Sequence, residues 1–322
     1  TVGTLPTLQK LVVLTFADLG ATNPKLWNSW QNMLLCELFG LAVDAFERGD
    51  AITQAQMERA DRIRGRVAEA LAGQDGALER FLADLPDRYF LSTPEDDIPQ
   101  HFELVRRFGE EPLVTSVAHF PEREFSEFTV VTRDQPGLFA RLTGVLRAYG
   151  MNIAAARIAT GGSGMALDVF RVTHLEGAAI ATDAERWDRI QSAIGKVLAG
   201  ELDVEQMVAK AGRPSVLAEK VVPRQPTTVE IDNAVSEDYT VIDVFTVDRV
   251  GILFAIANAL YHLGLSIHLA KITTTVDRVF DVFYVTDGDG RKIEEPGTLA
   301  LIQGTILDEL KPLIATPLAA TG

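Results

Sequence analysis

The sequence predicts an α+β protein, in which an all-helical N-terminal part precedes two copies of a small domain built on an antiparallel sheet. The main observation is an internal repeat, because residues 128–173 recur as residues 241–286. Gly137 recurs as Gly251, 114 positions later, and many apolar positions follow at that same offset. A repeat of this length has the size of a small independent fold rather than of a solenoid unit.

Each copy reads strand, turn, helix, strand, turn, strand, helix. In the first copy, 128–132 alternates as a half-buried strand does, and Gly150 ends the following helix. A capping box at 182–185 opens the second helix. This order is the split βαβ pattern, an antiparallel sheet with two helices on one face. The position of a fourth strand stays open, and so does the sheet that the strand-like segment 227–232 joins.

The chain divides into four predicted parts. Residues 1–90 carry apolar residues at helical spacing, and residues 91–125 form a connector rich in proline and acidic residues. The two copies of the repeat occupy 126–213 and 226–316.

Composition excludes several classes of protein. A net charge of −15 argues against nucleic acid as a partner, because its phosphates would be repelled. A single cysteine, Cys36, excludes an internal disulfide framework and is typical of a reducing cytoplasm; it lies among leucines, which favours a buried structural thiol. No apolar run reaches the roughly 20 residues of a membrane span. The chain begins at Thr1 without a signal peptide, and we expect it to be part of something longer.

The strand, the Asp-x-Pro-Gly turn, the helix and the Gly-Met-Asn-Ile segment together resemble the ACT domain. This is a ferredoxin-like βαββαβ module that senses small molecules and usually occurs in pairs. The resemblance implies that an amino acid is held by the turn after the first strand and by the start of the second strand. The corresponding positions are Asp134, Gly137, Leu138, Asn152 and Ile153 in the first copy, and Asp248, Gly251, Ile252, Ser266 and Ile267 in the second.

The chemistry of such a site is backbone chemistry. Glycine lets the backbone approach a ligand closely, and a helix N-terminus offers N–H groups to a carboxylate. The second copy departs from the pattern, because Val250 replaces proline and Ser266 replaces asparagine. We therefore expect the first copy to bind if only one turn does. Open edge strands also make association through the ACT domains possible.

The N-terminal part carries a second resemblance. The run ADLGATNP…WNSW, the connector DRYFLSTPEDDIPQHFELV and two ACT copies occur together in the bifunctional uridylyltransferase/uridylyl-removing enzymes. The match covers essentially the whole chain, which would be the C-terminal third of such an enzyme, beginning at the end of its HD-type hydrolase domain. The resemblance implies glutamine as effector, a PII-type signalling protein as partner, Mg²⁺ as cofactor of the intact enzyme and a cytoplasmic location.

Neither catalytic site is complete in this sequence. The resemblance implies that Asp18 is the last metal ligand of the HD site, and a lone aspartate on an apolar helix is costly to bury without a partner; a capping or partly exposed aspartate is the alternative. None of the five histidines has ligand spacing. Gly162-Ser163 lacks the Asp-x-Asp pair of a nucleotidyltransferase, so we expect a hairpin turn there. The segment alone is predicted to be inactive and to need no cofactor.

Two further patterns have ordinary interpretations. Asp287-Gly288-Asp289 ends a strand, which favours a solvated turn over a metal loop. His268 follows Ile267, and alternation along a strand places it on the opposite face, as a structural histidine.

Three functions remain open. The chain is the sensory part of the bifunctional enzyme, a free-standing tandem ACT regulator, or an interaction module without a ligand. The N-terminal hundred residues argue against the second, and retention of Asp134, Gly137 and Asn152 argues mildly against the third.

Overall fold

The computed structural model describes residues 10–15, 54–71, 76–123, 125–174, 183–211, 227–234, 236, 238–247, 249, 251–275 and 278–314. The chain divides into two compact units, Thr1–Ala51 with Ala234–Glu237 and Ile52–Asn233 with Asp238–Gly322. In the first unit residues 10–15 are helical, whereas Asp18 and Cys36 lie outside the described residues. All elements below belong to the second unit.

Within the described residues of the second unit, four α-helices come before the first sheet, and together we call them the helical layer. They are α1 (Gln54–Ala70), α2 (Ala77–Asp84), α3 (Asp87–Ser92) and α4 (Ile98–Phe108). Pro99 lies in the first turn of α4, where its missing N–H breaks no intrahelical hydrogen bond. The apolar faces of these helices are buried, with Phe90, Ile98 and Phe102 almost completely inaccessible to solvent.

The first sheet is antiparallel, with strand order β1-β2-β4-β3. Its strands are β1 (Leu113–Phe120), β2 (Phe125–Arg133), β3 (Met151–Thr160) and β4 (Met165–His174). Helices α5 (Leu138–Ala148) and α6 (Ala184–Leu198) bury apolar side chains with one face of this sheet, and α7 (Val204–Ala211) follows. Asp183 caps α6 by accepting a hydrogen bond from the Glu185 N–H at 3.1 Å.

The second sheet repeats this arrangement, with strand order β5-β6-β8-β7. Its elements are β5 (Thr228–Asp232), β6 (Thr240–Val247), α8 (Ile252–His262), β7 (Ser266–Thr275), β8 (Arg278–Thr286) and α9 (Pro296–Ile314). The predicted α+β class, with helices first and two antiparallel sheets after them, is confirmed.

In each described sheet, the strand that completes the sheet comes at a different place along the chain from the one that the predicted βαββαβ order gives it. It comes before the first core strand and not after the second helix: β1 pairs with β2, and β5 pairs with β6. The first of these strands lies inside the predicted connector 91–125, and the second is the segment 227–232 whose sheet the sequence left open. An edge position requires only an antiparallel neighbour, and a strand that directly precedes the core strand reaches it through a short connection.

Two hydrophobic cores follow from this arrangement. One runs through both repeats, because apolar residues of α5, α6, α8 and α9 cluster with the inner faces of both sheets. The other lies between the helical layer and the opposite face of the first sheet, where Val131, Leu167 and Val169 meet Phe90 and Phe102. The first sheet is therefore covered by helices on both faces.

Candidate ligand-binding site

The two repeats lie side by side in the described part of the chain. The edge strands β3 and β7 lie against each other, and helix α5 packs against α8. The hydrophobic core is continuous across this junction, which we call the seam. The surroundings of each predicted ligand-binding turn can therefore include residues of the other repeat.

Each repeat places a left-handed glycine at the start of its first helix. Gly137 has φ of 74° and Gly251 has φ of 92°, a region that side chains rarely adopt. Hydrogen bonds close the turns, from the Leu138 N–H to the Gln135 carbonyl at 3.0 Å and from the Ile252 N–H to a carbonyl at 3.2 Å. Among the described residues no side chain caps either helix, so both N-termini present backbone N–H groups suited to a carboxylate.

The first helix of each repeat covers the turn of the other repeat. A Cβ added to Gly137 would lie 2.6 Å from Cδ2 of Tyr261, and one added to Gly251 would lie 2.6 Å from Nε of Arg147. Arg147 and Tyr261 are equivalent, because each follows its own glycine by 10 positions. Sequence reasoning missed both residues, since the crossed arrangement cannot be read from either copy alone.

A cleft of about 30 Å³, which we call the seam cleft, opens at the turn of the second repeat. It is lined by Arg147, Asn152 and Ile153 of the first repeat and by Gly251, Ile252 and Asp281 of the second, among others. The sequence predicts that Asn152 acts together with the turn of its own repeat. The structure instead gathers Asn152 and Ile153 in one cleft with the turn of the other repeat, because side-by-side pairing brings the start of β3 there.

The groups of the seam cleft complement a small zwitterion. The half-buried guanidinium of Arg147 supplies positive charge, and burial lowers its pKa. The Asn152 amide can donate or accept hydrogen bonds, and the buried Asp281 carboxyl offers oxygen acceptors. Ile153 and Ile252 add an apolar wall. These groups are suited to binding and orienting a ligand, and the described lining residues of the seam cleft include no cysteine or serine.

The turn of the first repeat has different chemistry. Burial raises the pKa of Asp134, while the Gln135 N–H and the charge of His268 lower it. Asp168, in the centre of β4, is 1 % exposed, and neither carboxyl oxygen has a hydrogen-bond partner among the described residues. Burial raises the pKa of Asp168 well above its usual range, and the nearby charge of Asp134 adds to this. Two neighbouring carboxyl groups therefore characterise this side.

Asp168 was not predicted as a site residue, although a signal existed. Asp168-Val169-Phe170 recurs as Asp281-Val282-Phe283, so each copy keeps an aspartate in the middle of an apolar strand. A charged side chain at a buried position is costly. An aspartate kept at this position in both copies is therefore a sign of a functional role.

The remaining predicted ligand residues are placed as follows. Leu138 is buried in the core, and Ile267 packs against that core at the start of β7. Ser266 opens β7 and pairs with Thr286 of β8. Asp248 lies outside the described residues.

Gly162-Ser163 forms the hairpin turn that the sequence predicts between β3 and β4. This turn is bound to the helical layer by Asp84. The Ser163 N–H donates to Oδ1 of Asp84 at 2.7 Å, and the Ser163 hydroxyl donates to Oδ2 at 2.8 Å. A Cβ on Gly161 would collide with the same carboxylate, so glycine permits the contact.

The other two ordinary interpretations agree with the structure. Asp287 closes a solvated turn by accepting hydrogen bonds from the Asp289 N–H at 2.9 Å and the Arg291 N–H at 2.8 Å. His268 has its Nε2 2.8 Å from Oγ1 of Thr286, as a satisfied structural histidine does.

A search of the described residues finds no group of three or more histidine, cysteine, aspartate or glutamate side chains that could hold a metal ion. Asp18, the proposed HD ligand, lies outside those residues. Within the described part, no helix is both long enough and apolar enough to cross a membrane.

Comparison with known proteins agrees with this architecture. The ACT domain family model matches residues 240–293. The bifunctional uridylyltransferase/uridylyl-removing enzyme of Gluconobacter oxydans is 35% identical over 94% of this chain, which covers 32% of that enzyme. The enzymes of Rhodospirillum rubrum and Azospirillum brasilense are each 35% identical, over 92% and 94% of this chain, and the chain covers 32% and 33% of them.

The chain spans about a third of the length of these relatives. The resemblance seen in the sequence is confirmed: this chain carries an ACT domain and is similar, over nearly all its length, to a part of the bifunctional uridylyltransferase/uridylyl-removing enzymes.

Proposed function

We propose that the seam cleft binds glutamine, and that the chain reports this binding to the uridylyltransferase and uridylyl-removing sites of a longer cytoplasmic enzyme acting on a PII-type signalling protein. One observation carries the proposal, namely that Arg147, Asn152 and the Gly251 turn line a single cleft. The N-terminus of α8 and the guanidinium are suited to the ligand carboxylate. Asp281 is suited to its ammonium group, and Asn152 to its side-chain amide.

Binding can regulate the enzyme only if it favours one arrangement of the repeats over another. Apolar packing and several polar contacts connect the first repeat to the helical layer, and two of these contacts involve β3 or the hairpin turn after it. Asp84 binds the hairpin turn at Ser163, and Asp97 lies 3.6 Å from the guanidinium of Arg157 in β3. Because β3 also contributes Asn152 to the seam cleft, a shift of β3 on binding would act on both contacts.

Calorimetry on the 322-residue chain tests the binding step. Glutamine should bind more tightly than glutamate, whose side-chain carboxylate would replace the amide beside Asn152 and would add a negative charge to a cleft that already contains Asp281. Asn152→Ala should weaken glutamine binding about tenfold or more, because a hydrogen bond in a desolvated cleft is lost. Ser266→Ala, at the equivalent position of the other repeat, is the matched control and should leave the affinity nearly unchanged.

Other outcomes would favour the other functions. Equal loss in both variants would place the ligand elsewhere, and absence of binding by every amino acid would favour an interaction module. The catalytic activities and their Mg²⁺ belong, in this proposal, to the rest of the longer enzyme. The isolated chain should therefore not label a PII-type protein with UTP, and measurable labelling would contradict that assignment.

A further inference from the structure

A second and larger cavity, which we call the junction cavity, lies where the helical layer and both sheets meet. Its volume is about 110 Å³, well above the roughly 10–15 Å³ that one water molecule requires. It is lined by α3 and the turn after it, by strands β3 and β4, and by residues of the second repeat, including Tyr239, His268, Leu269 and Tyr284. The junction cavity shares no lining residue with the seam cleft.

One wall of the junction cavity is cationic. The guanidinium of Arg88 lies 5.1 Å from the centroid of the Tyr284 ring, and within the described residues it forms no ion pair. The other arginine of the wall, Arg157, is different, because its guanidinium lies 3.6 Å from Asp97 and 3.3 Å from Glu127. Of these two arginines, Arg88 is therefore the one whose charge is left for an anion.

The same wall holds an unused hydrogen-bonding group. Tyr284 is 1 % exposed, and its hydroxyl has no hydrogen-bond partner in the described part of the chain. Leaving a buried hydroxyl without a hydrogen bond is destabilising, so a ligand group that makes this hydrogen bond would be stabilising. Ser92 and Thr93 add hydroxyl groups to the lining.

Other lining residues of the junction cavity are apolar. Ala159, Leu167 and Val169 project from the outer face of the first sheet, are buried, and line the cavity with Ile158 and Leu269. A ligand with a charged end and an apolar body would match both kinds of lining residue, whereas a bare inorganic anion would leave the apolar residues without contacts.

We propose that the junction cavity is a second ligand site, which takes a small carboxylate with an apolar body. The carboxylate binds the guanidinium of Arg88, the Tyr284 hydroxyl donates a hydrogen bond to it, and the apolar body lies against Leu167 and Val169. Such a ligand contacts the helical layer and both repeats together, and it stabilises their packing by mass action. The site is independent of glutamine binding in the seam cleft.

Benzoate and hexanoate are suitable probes, with benzyl alcohol as the uncharged analogue of benzoate. Calorimetry on the 322-residue chain should show saturable binding of a carboxylate and at least tenfold weaker binding of the alcohol. Arg88→Met should weaken benzoate binding at least tenfold. Arg133→Met is the matched control, because Arg133 also lies over an aromatic ring, 6.0 Å from the centroid of Phe108, but does not line the cavity.

Tyr284→Phe provides a second variant should Arg88→Met fail to fold, and it should weaken benzoate binding several-fold. Gly251→Val, which fills the seam cleft, should leave benzoate binding intact and so separates the two sites. Absence of saturable binding by both carboxylates would overturn the proposal. Equal loss in Arg88→Met and Arg133→Met would overturn it as well, since binding would then reflect surface charge.

Discussion

The two turns at the seam have the same backbone conformation, but the side chains that cover them differ in chemistry. Gly137 and Gly251 both open a helix at positive φ, and each is covered by the first helix of the other repeat. The covering residue is the aromatic Tyr261 at the first turn and the cationic Arg147 at the second. Duplication has thus preserved the geometry that exposes backbone N–H groups, while the side chains around them have diverged.

The crossed arrangement changes how the copies are compared. At the predicted ligand-binding positions, the first copy keeps the proline and the asparagine of the ACT pattern, whereas Val250 and Ser266 replace them in the second copy, which is the copy that the ACT family model matches. In the structure, Asn152 of the first copy serves a cleft opened by Gly251 of the second. Neither copy by itself therefore contains all the lining residues of the seam cleft.

The largest expected effect on glutamine binding comes from valine substitutions at the two glycines, which test this comparison. Gly251→Val should abolish glutamine binding, because the side chain strains the turn and fills the space beside Arg147. Gly137→Val should reduce binding far less if the seam cleft is the only amino-acid site. Calorimetry of both variants against glutamine measures this difference.

Gly290→Val is a control for backbone strain alone, because Gly290 has φ of 79° and open space around its Cβ position. It should bind glutamine as the wild type does. The opposite ranking, with Gly137→Val losing binding and Gly251→Val retaining it, would move the site to the Asp134 side and restore the assignment made from sequence.

Much of the fold could be predicted from the sequence, and the limits are physical. The repeat, the turns at Gly137 and Gly251, and the hairpin at Gly162-Ser163 are local patterns set by glycine geometry and periodicity. Which strand fills a sheet edge is not a local property, so sequence patterns alone place β1 in a connector. The seam cleft escapes prediction for the same reason, since the residue that covers each glycine lies in the other copy, with Tyr261 124 residues after Gly137 and Arg147 104 residues before Gly251.

The helical layer marks another difference between the repeats, because in the described structure it covers the outer face of the first sheet. Within it the Tyr89 hydroxyl lies 2.8 Å from Nδ1 of the buried His101. Burial, together with the smaller effect of the Arg157 charge, lowers the pKa of His101 from its ordinary 6.5 to about 4. The folded protein therefore binds fewer protons than the unfolded chain between these pH values, so stability falls as the pH falls through them.

The expected loss between pH 6.5 and pH 4 is about 3 kcal/mol. Urea denaturation followed by circular dichroism should show it in the wild type and not in His101→Gln, which removes the titrating group. Tyr89→Phe keeps the histidine and should keep the pH dependence with lower stability throughout. An identical pH profile in wild type and His101→Gln would show that the packing of the helical layer does not depend on a neutral histidine.

The smallest expected effect concerns the carboxyl groups near the first turn. The folded-state pKa of Asp168 lies above its unfolded value, so the neutral form is favoured in the fold, and stability is lost as the pH rises above about 3.8. Asp168→Asn keeps the size of the side chain and removes the charge. This variant should match the wild type near pH 3.5 and exceed its stability at pH 8 by on the order of 1–3 kcal/mol.

Asp134→Asn should reduce the pH dependence without abolishing it, because the charge of Asp134 is the lesser cause of the shift. Urea denaturation at both pH values measures these differences. A less stable Asp168→Asn protein at pH 8 would mean that the ionised carboxylate is stabilised by a bound cation or ammonium group, and the first turn would then be a ligand site in addition to the one proposed at the second turn.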